Sequence, residues 1–334
     1  MSLYRNEFFT VLPLFAIVTI TAWFVVGWVK RNAQALNLID HPNVRSSHVL
    51  PKPSGGGLGM VVAGGGAGIW LGCNDDSGWI LHIALLSMLI ALVGLWDDIR
   101  PLPVWPRLTV QAIGLLGVVW VSPDAISLVG FGLLLVGVWW VNLFNFMDGI
   151  DGLAGMQAGF MLSMAALLSY VTQSEVMLSP GWRWMLFIVA AVIGFLPWNW
   201  PPAKIFMGDV GSTWLGFLLF AFCLLSVQSG WLTYPVWLLL AALFVVDATV
   251  TLFSRLIRKN RLSEAHRSHA YQCLARRWGT HRAVTLAYFA LNGLLACIAW
   301  LAMALPDYAW LCVALVYSTL SPMAIYVRNL DKCE

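Results

Sequence analysis

The fold of this chain is constrained most by a succession of long apolar segments separated by short polar loops. A helix needs roughly 20 apolar residues to cross a bilayer. With 60% hydrophobic and only 10% charged residues, the composition is too apolar for a soluble domain. We therefore predict an all-α, polytopic integral membrane protein with about 11 transmembrane helices, forming a single domain. The eleven segments are 8–29, 58–72, 79–96, 108–121, 126–142, 153–171, 183–198, 212–228, 234–256, 283–303 and 307–326. The second of them is the weakest candidate, because it is short and rich in glycine.

Basic residues are divided unequally between the loops on the two sides of the predicted bundle. If the N-terminus lies outside, Arg5 and Arg183 are the only two of the 19 lysines and arginines on the outer side. Short loops rich in lysine and arginine remain in the cytoplasm. The predicted orientation therefore has the N-terminus outside and the C-terminus in the cytoplasm. The net charge of +3 reflects this asymmetry and does not indicate a nucleic-acid partner.

The most polar stretch lies between the fifth and sixth apolar segments. It carries Asn142, Asn145, Asp148 and Asp151 at three-residue spacing, followed by glycines. Residues three apart share one face of a helix, so these groups can act together. Polar groups at the edge of a bilayer are costly. A polar helix hairpin is the alternative, but two amides and two carboxylates at regular spacing favour a functional site.

Three further carboxylates occur near predicted helix ends. Asp97 and Asp98 end the third apolar segment, and adjacent helical residues point about 100° apart, so the two can serve different partners. The alternative is a solvated helix end with Arg100 as counter-ion. Asp209 lies between glycines before the eighth segment, where a carboxylate suits Mg²⁺. It could equally act as the N-terminal cap of that helix.

Two basic stretches are candidate anion sites. Lys52 precedes three glycines at 55–57, whose N–H groups could approach a phosphate, and the alternative is an ordinary basic loop. His266, Arg267 and His269 form a motif that suits a diphosphate. The alternative for this motif is contact with anionic lipid headgroups, and both interpretations can hold together.

With the predicted topology, all these clusters fall on one membrane face. Carboxylates for a divalent cation, together with lysine, arginine and histidine for phosphates, point to phosphoryl transfer. Asp247 lies apart from them inside the ninth segment, where it is either functional or part of a structural ion pair. The candidate cytoplasmic active-site loops lie near 31–57, 97–107, 142–152, 199–211 and 256–282.

Five motifs in order, from about Arg45 to about Tyr271, resemble those of the polyprenyl-phosphate N-acetylhexosamine-1-phosphate transferase family. This is glycosyltransferase family 4 of the type that initiates O-antigen and enterobacterial common antigen, related to phospho-N-acetylmuramoyl-pentapeptide-transferase. The motifs are Pro51-Lys52-Pro-Ser-Gly-Gly-Gly, Asp97-Asp98, Asn142-x-x-Asn145-x-x-Asp148-Gly-Ile-Asp151-Gly-Leu-Ala, Asn199-x-x-Pro202-Ala-Lys-Ile-Phe206-Met-Gly-Asp209-Val-Gly-Ser, and His266-Arg-Ser-His269.

The resemblance implies a reaction as well as a fold. A UDP-activated N-acetylated sugar would give its sugar 1-phosphate to undecaprenyl phosphate and release UMP, which initiates O-antigen or a related surface polysaccharide. The enzyme would lie in the bacterial inner membrane with its site facing the cytoplasm. Mg²⁺ would be required, with Mn²⁺ as the alternative ion. Dimers are known in the family, so the resemblance allows a homodimer.

The resemblance also implies roles for individual residues. Asp97 would be the general base that deprotonates the lipid phosphate, Asp98 would lie beside it near the metal, and Asp209 would bind the Mg²⁺. Asn199 and Phe206 would hold the uracil, and Asp151 would lie near the nucleoside. The other residues implied in substrate binding are Lys52, Arg107, Asn142, Asn145, Asp148, His266, Arg267 and His269.

Two departures from the family pattern leave the donor open. The motif His266-Arg-Ser-His269 replaces the His-x-His-His of relatives that use UDP-GlcNAc or the muramoyl-pentapeptide, which points to donors such as UDP-N-acetylfucosamine. Only Arg100 matches the basic residue that follows the aspartate pair in the family. Both a one-step transfer and a two-step route through an aspartyl-linked intermediate fit these residues. We prefer one step, because the acceptor phosphate is already a competent nucleophile.

Two other classes of function compete with the enzyme. A secondary transporter with a one-sided cytoplasmic vestibule predicts polar residues near the midplane of paired, inverted halves, and only Asp247 favours it. A flippase partner could bind a lipid phosphate without chemistry.

Overall fold

The computed structural model describes residues 2–42, 50–76, 78–122, 125–258 and 267–330. Most of them are helical, which confirms the predicted all-α class. The α-helices are α1 Ser2–Asn32, α2 Gly57–Met60, α3 Gly66–Cys73, α4 Trp79–Ile99, α5 Val104–Trp120, α6 Leu128–Phe146, α7 Leu153–Thr172, α8 Pro180–Asn199, α9 Asp209–Gln228, α10 Tyr234–Ile257, α11 Ala270–Trp278, α12 His281–Ala304 and α13 Ala309–Leu330.

The helices are long and apolar enough for a multi-pass membrane protein. Within the described ranges, nine of them have the length and hydropathy of a membrane span. The shorter apolar helical segments Gly57–Cys73 and Val104–Trp120 fall where the second and fourth predicted spans lie. The first of these contains a π-helical turn, Val61–Gly65, between α2 and α3. All eleven predicted segments are therefore helical, although two are shorter than an ordinary span.

Helix α9 lies at the centre of the bundle. It is buried along most of its length and packs against α4 and α6. Indole N–H groups fix both contacts: Trp214 of α9 donates to Ser87 Oγ of α4 at 3.2 Å, and Trp140 of α6 donates to the Gly216 carbonyl at 2.9 Å. A helix that is apolar all round is buried in this way. These contacts fix the position of α9, which carries Asp209 at its N-terminus.

The outer helices present large apolar side chains to the surroundings. Phe24 of α1, Phe131 of α6 and Trp310 of α13 are each about 60% exposed, at 61%, 60% and 61%. Isolated apolar side chains are common on soluble proteins, but so many around one bundle mark a surface that contacts lipid.

The loop that carries Lys52 forms the small non-helical part of the fold. Strand β1 (Ile39–Asp40) pairs antiparallel with β2 (Lys52–Pro53), which sets Asp40 opposite Lys52. The Gly56 N–H donates to the Phe206 carbonyl at 2.9 Å, and the Gly57 N–H donates to Met207 at 2.8 Å. For Gly56 and Gly57 the expectation that the N–H group approaches an anion is therefore wrong, because both attach the loop to the segment before α9.

Candidate active site

A cleft of about 670 Å³ opens at the end of the bundle where α4, α6 and α8 finish and α5, α7 and α9 begin. It brings together residues that are more than 100 positions apart in the sequence, such as Asp97 and Asp209. The predicted site residues that line it are Asp97, Asp98, Arg107, Asn145, Asp148, Asp151, Asn199, Phe206 and Asp209.

Asp98 caps the N-terminus of α9. Its Oδ1 accepts a hydrogen bond from the Asp209 N–H at 2.8 Å, and its Oδ2 accepts one from the Val210 N–H at 3.0 Å. The first N–H groups of a helix have no partner within the helix, and the helix dipole favours an anion there. Gly208 has φ +78°, and a Cβ at this position would lie 2.5 Å from Asp98 Oδ2, so a glycine is required.

Asp209 is therefore not the cap of its own helix, and that alternative is wrong. The carboxylate of Asp209 instead lines the cleft. Its Oδ1 accepts a hydrogen bond from Asn145 Nδ2 at 2.9 Å, and the same amide group lies 2.9 Å from Ser212 Oγ. The last turn of α6 thus orients the carboxylate at the start of α9.

Arg107 lies between the two acidic helix ends. Its NH1 is 2.5 Å from Asp97 Oδ2 and 3.3 Å from Asp209 Oδ2. The Leu102 N–H donates to the other oxygen of Asp97 at 2.6 Å. The expectation that Arg100 is the counter-ion of the aspartate pair is wrong, because the chain turns after α4 and returns Arg107 to Asp97 from α5.

Asp148 adds a further carboxylate to the cleft. Burial and the negative charges of Asp209, Asp98 and Asp151 raise the pKa of Asp148 well above its usual value. Neighbouring carboxylates repel one another when ionised, and a cation bound among them relieves that repulsion. The charge balance of the cleft therefore suits a divalent metal held near these carboxylates.

The possible metal ligands in the cleft suit Mg²⁺ better than they suit a metal that is coordinated by protein side chains alone. Among the described residues, no group of three or more histidine, cysteine, aspartate or glutamate side chains converges closely enough to hold an ion. Mg²⁺ is commonly bound by one or two carboxylates, with waters and substrate phosphates completing its shell. The carboxylate of Asp209, accessible from the cleft, meets that requirement.

Asn199 and Asp151 join the two loops that form one wall of the cleft. Asn199 accepts a hydrogen bond from the Gly152 N–H and donates one to the Ile205 carbonyl, both at 3.0 Å. Asp151 Oδ2 accepts from the Ala203 N–H at 2.9 Å and lies 3.3 Å from His281 Nδ1. These side chains set the shape of the wall, and their implied contacts with a nucleoside stay predictions.

The charge of Asp151 is maintained by its neighbours. Burial alone would raise its pKa, but the interaction with the His281 ring, the hydrogen bond from the Ala203 N–H and the charge of Lys52 lower the pKa below its usual value. Asp151 is therefore an ionised group in the cleft wall, paired with a histidine that the sequence did not single out.

Several predicted site residues lie outside the cleft wall. Lys52 Nζ is 5.2 Å from the centre of the Phe206 ring, at the cleft margin. Asn142 does not line the cleft itself but a small adjoining cavity that it shares with Arg107 and Asp209, and its amide donates to Gln111 Oε1 at 2.7 Å and joins α6 to α5. The exposed fraction of His269 is 3%, and its ring lies against Tyr271 and Asp247 rather than in the cleft. Arg267 does not line the cleft either.

The prediction for His266 falls outside the described residues. The structure also adds cleft residues that the sequence reading missed, among them Asn37, Asp40, Ser54 and Gln272. His269 and Gln272 have the three-residue spacing of a capping box and precede an amphipathic segment, a pattern that indicates the N-terminus of α11.

Comparison with known proteins covers the same part of the chain. Residues 80–227 match the model of glycosyl transferase family 4. This stretch extends from α4 to α9 and includes the nine predicted residues that line the cleft. The chain is 27% identical to a probable undecaprenyl-phosphate N-acetylglucosaminyl 1-phosphate transferase of Bacillus subtilis, over 84% of this chain and 82% of that protein.

Two further relatives point the same way. A phospho-N-acetylmuramoyl-pentapeptide-transferase of Lactiplantibacillus plantarum is 32% identical, over 52% of this chain and 61% of its own length. A decaprenyl-phosphate N-acetylglucosaminephosphotransferase of Mycolicibacterium smegmatis is 27% identical, over 84% of this chain and 80% of its own length. The similarity to full-length relatives thus extends well beyond the cleft.

Proposed function

Since the chain belongs to glycosyl transferase family 4, we propose that it transfers an N-acetylated hexosamine 1-phosphate from a UDP-sugar to undecaprenyl phosphate and releases UMP. The observation that carries the proposal is the continuous polar chain Asp97–Arg107–Asp209–Asn145 in the cleft. Carboxylates and a guanidinium at the end of apolar helices can serve both a water-soluble diphosphate and the phosphate of a membrane lipid.

The proposed chemistry is a single displacement. An oxygen of the acceptor phosphate attacks the phosphorus that carries the sugar, the new P–O bond forms, and the bond to UMP breaks with UMP leaving as the phosphate. A phosphate monoester has a second pKa of about 6, so much of the acceptor is already deprotonated at neutral pH. Asp97 would take the remaining proton, and its bonds to Arg107 and the Leu102 N–H keep it in place.

The chain supplies charge and position for this step. Arg107 lies between Asp97 and Asp209 and would face the oxygens of the reacting phosphates. Mg²⁺, bound by Asp209, would neutralise charge on the diphosphate. Asp98 would lie near the metal, and its two oxygens also hold the N-terminus of α9 in place. Holding the groups in line accounts for a large part of the expected rate enhancement.

We also propose that the cleft faces the cytoplasm of a bacterium, in its inner membrane. The support is the distribution of lysine and arginine, which places Lys52 and Arg107 on the same side as the cleft. A cytoplasmic opening gives access to UDP-sugars. The pathway served would be O-antigen or another surface polysaccharide.

The donor is proposed as UDP-GlcNAc or UDP-N-acetylfucosamine. The names of the Bacillus and Mycolicibacterium relatives favour N-acetylglucosamine. The His266-Arg-Ser-His269 motif favours the 6-deoxy sugar. The two sugars differ at carbons far from the phosphate, so the chemistry above is the same for both.

The test uses the purified protein in lipid nanodiscs with undecaprenyl phosphate. We expect UMP release that requires a divalent metal and one of the two UDP-sugars, with a lipid-linked sugar diphosphate as the second product. The absence of UMP release with every donor, from protein that remains folded, would contradict the proposal. Isolation of a covalent sugar-phosphate adduct of the protein would contradict the single displacement while leaving the overall reaction intact.

The transporter alternative loses its main support. Asp247 was the feature that favoured it, and its carboxylate accepts hydrogen bonds from the backbone of α11. It therefore serves a fixed structural contact rather than a substrate path through the membrane.

A further inference from the structure

Asp247 is a buried carboxylate that the proposed chemistry does not use. It lies on α10 with 2% of its surface exposed. Its oxygens accept hydrogen bonds from the N–H groups of Ala270 at 2.7 Å and Tyr271 at 2.9 Å, the first two residues of α11. Tyr288 of α12 donates a third, at 3.0 Å. An anion at a helix N-terminus is favourable, and charge-assisted bonds are strong. Asp247 therefore fixes the start of α11 from inside the bundle.

Arg328 holds the segment just before α11 from another helix. It lies in the last turn of α13 and is 6% exposed. Its Nε donates to the Ser268 carbonyl at 2.8 Å, and its NH1 donates to Ser254 Oγ at 2.6 Å. A buried carboxylate and a buried guanidinium, on two different helices, thus hold neighbouring residues of the same short segment.

The start of α11 is seated on the central turn of the active cleft. The Tyr271 hydroxyl donates to the carbonyl of Phe146, the last residue of α6, at 2.9 Å. A Cβ at Gly149 would lie 2.1 Å from the Tyr271 hydroxyl and 2.9 Å from Gln272 Nε2. Gly149 therefore leaves just enough room for α11 beside Asp148.

Gln272 is the residue that α11 contributes to the described cleft wall. Its side-chain oxygen also faces the His269 N–H at 3.4 Å, which ties its orientation to the capped end of the helix. A carboxamide both donates and accepts hydrogen bonds and carries no charge. It suits a sugar hydroxyl or an acetamido group better than a diphosphate, for which Arg107 and the metal ligand are present.

We propose that Gln272 contacts the sugar of the donor and that Asp247 and Arg328 are positioning residues that hold α11 so that it can. The inference rests on the proposed function and identifies the part of the cleft that recognises the donor sugar. It also gives α10 and α13 a role, because they carry the two residues that hold α11.

The experiment compares the affinity of UDP with that of the UDP-sugar, because the difference reports on the sugar alone. In Gln272→Ala we expect the affinity for the UDP-sugar to fall about tenfold, the size of one to two hydrogen bonds, while the affinity for UDP is unchanged. Gln173→Ala is the matched control, because Gln173 is exposed and follows the end of α7 that lies away from the cleft.

Asp247→Asn tests positioning in the same assay. We expect it to lower UDP-sugar affinity selectively and to raise the KM for the donor more than it lowers kcat. Arg328→Lys, which keeps the charge and can keep one bond to the loop, should restore most of the preference lost in Arg328→Ala. A merely structural role would instead lower UDP and UDP-sugar binding together.

The outcomes separate this inference from the proposed function. A wild-type protein that binds neither UDP nor UDP-sugar and releases no UMP contradicts the proposed function, and the inference falls with it. An active wild type whose Gln272→Ala variant keeps the full preference for UDP-sugar over UDP contradicts the inference alone. Equal loss of both ligands in that variant also contradicts it.

Discussion

Two helices that meet the cleft, α9 and α11, are held by the same arrangement. In each case a buried or half-buried carboxylate on another helix accepts hydrogen bonds from the first two N–H groups: Asp98 for α9 and Asp247 for α11. The difference lies in what each helix then presents. Helix α9 presents the charged Asp209, in contact with Arg107, whereas α11 presents the neutral amide of Gln272.

This comparison assigns two tasks, stabilisation of the reacting phosphate and recognition of the sugar, to two different helix ends of the same cleft. The α9 end combines charges that can stabilise a reacting phosphate, and it lies inside the stretch that matches the family. The α11 end lies beyond that stretch and carries a group suited to sugar recognition. We therefore expect changes near α9 to affect turnover and changes near α11 to affect the choice of donor.

The largest effect is expected for Asp209→Asn. It removes the accessible carboxylate at the start of α9 and one of the two carboxylate partners of Arg107, so we expect kcat to fall by about 10³-fold or more, with UDP binding in the absence of metal retained. The measurement is UMP release across a range of Mg²⁺ concentrations. Asp307→Asn, an exposed acid in the turn before α13, is the control and should behave like the wild type.

Asp97→Asn should have the next largest effect. The substitution keeps the size of the side chain but removes the ion pair that fixes Arg107, together with the acceptor for any proton left on the lipid phosphate. Loss of a group that holds charge at the reacting atoms costs about 10² to 10³ in kcat. We expect transfer to be lost within that range while the UDP-sugar still binds. Loss of donor binding of the same size would show that Asp97 serves the substrate and not the chemistry.

Gly149→Ala sharpens the comparison from the α11 side. The new methyl group would overlap the Tyr271 hydroxyl, so α11 must move and we expect about 1–3 kcal/mol of destabilisation, with weaker selection of UDP-sugar over UDP. Thermal unfolding and ligand binding check both parts. Gly132→Ala is the matched control, because a Cβ there would meet nothing within 4 Å. A Gly149→Ala protein with wild-type stability and selectivity would contradict the seating of α11.

The smallest effect is expected for Asn142→Ala. Its amide joins α6 to Gln111 of α5 in the small cavity beside the cleft, so we expect a loss of about 1 kcal/mol in stability and little change in donor affinity. Asn145→Ala, one turn further along, removes the contact with Asp209 and should lower turnover instead. Equal loss of activity in both variants would restore Asn142 as a site residue.

The sequence was sufficient for the class of fold and for most of the cleft. Long apolar segments can hardly be anything but helices in a bilayer, because their backbone groups must be paired internally. Polar residues such as Asp97, Asn145 and Asp209 stand out because each interrupts such a segment. Their convergence followed from the predicted topology, which placed all of them on one side.

The remaining features depend on contacts between distant parts of the chain. Asp98 caps a helix that begins 111 residues later, and Asp247 caps one that begins 23 residues later across a loop. Nothing local distinguishes a capping carboxylate from a metal ligand. Likewise, His269 looks like a phosphate ligand until α11 is packed, when its ring lies against Asp247.

The central claim is that the two capped helices divide the work, and it is tested by measuring kcat and the UDP-sugar preference over UDP side by side in Asp98→Asn and Asp247→Asn. The account predicts that Asp98→Asn lowers kcat and keeps the preference, since it disturbs α9. Asp247→Asn should lose most of the preference and keep more of kcat. If both variants change the same quantity to the same extent, the division of labour between α9 and α11 is wrong.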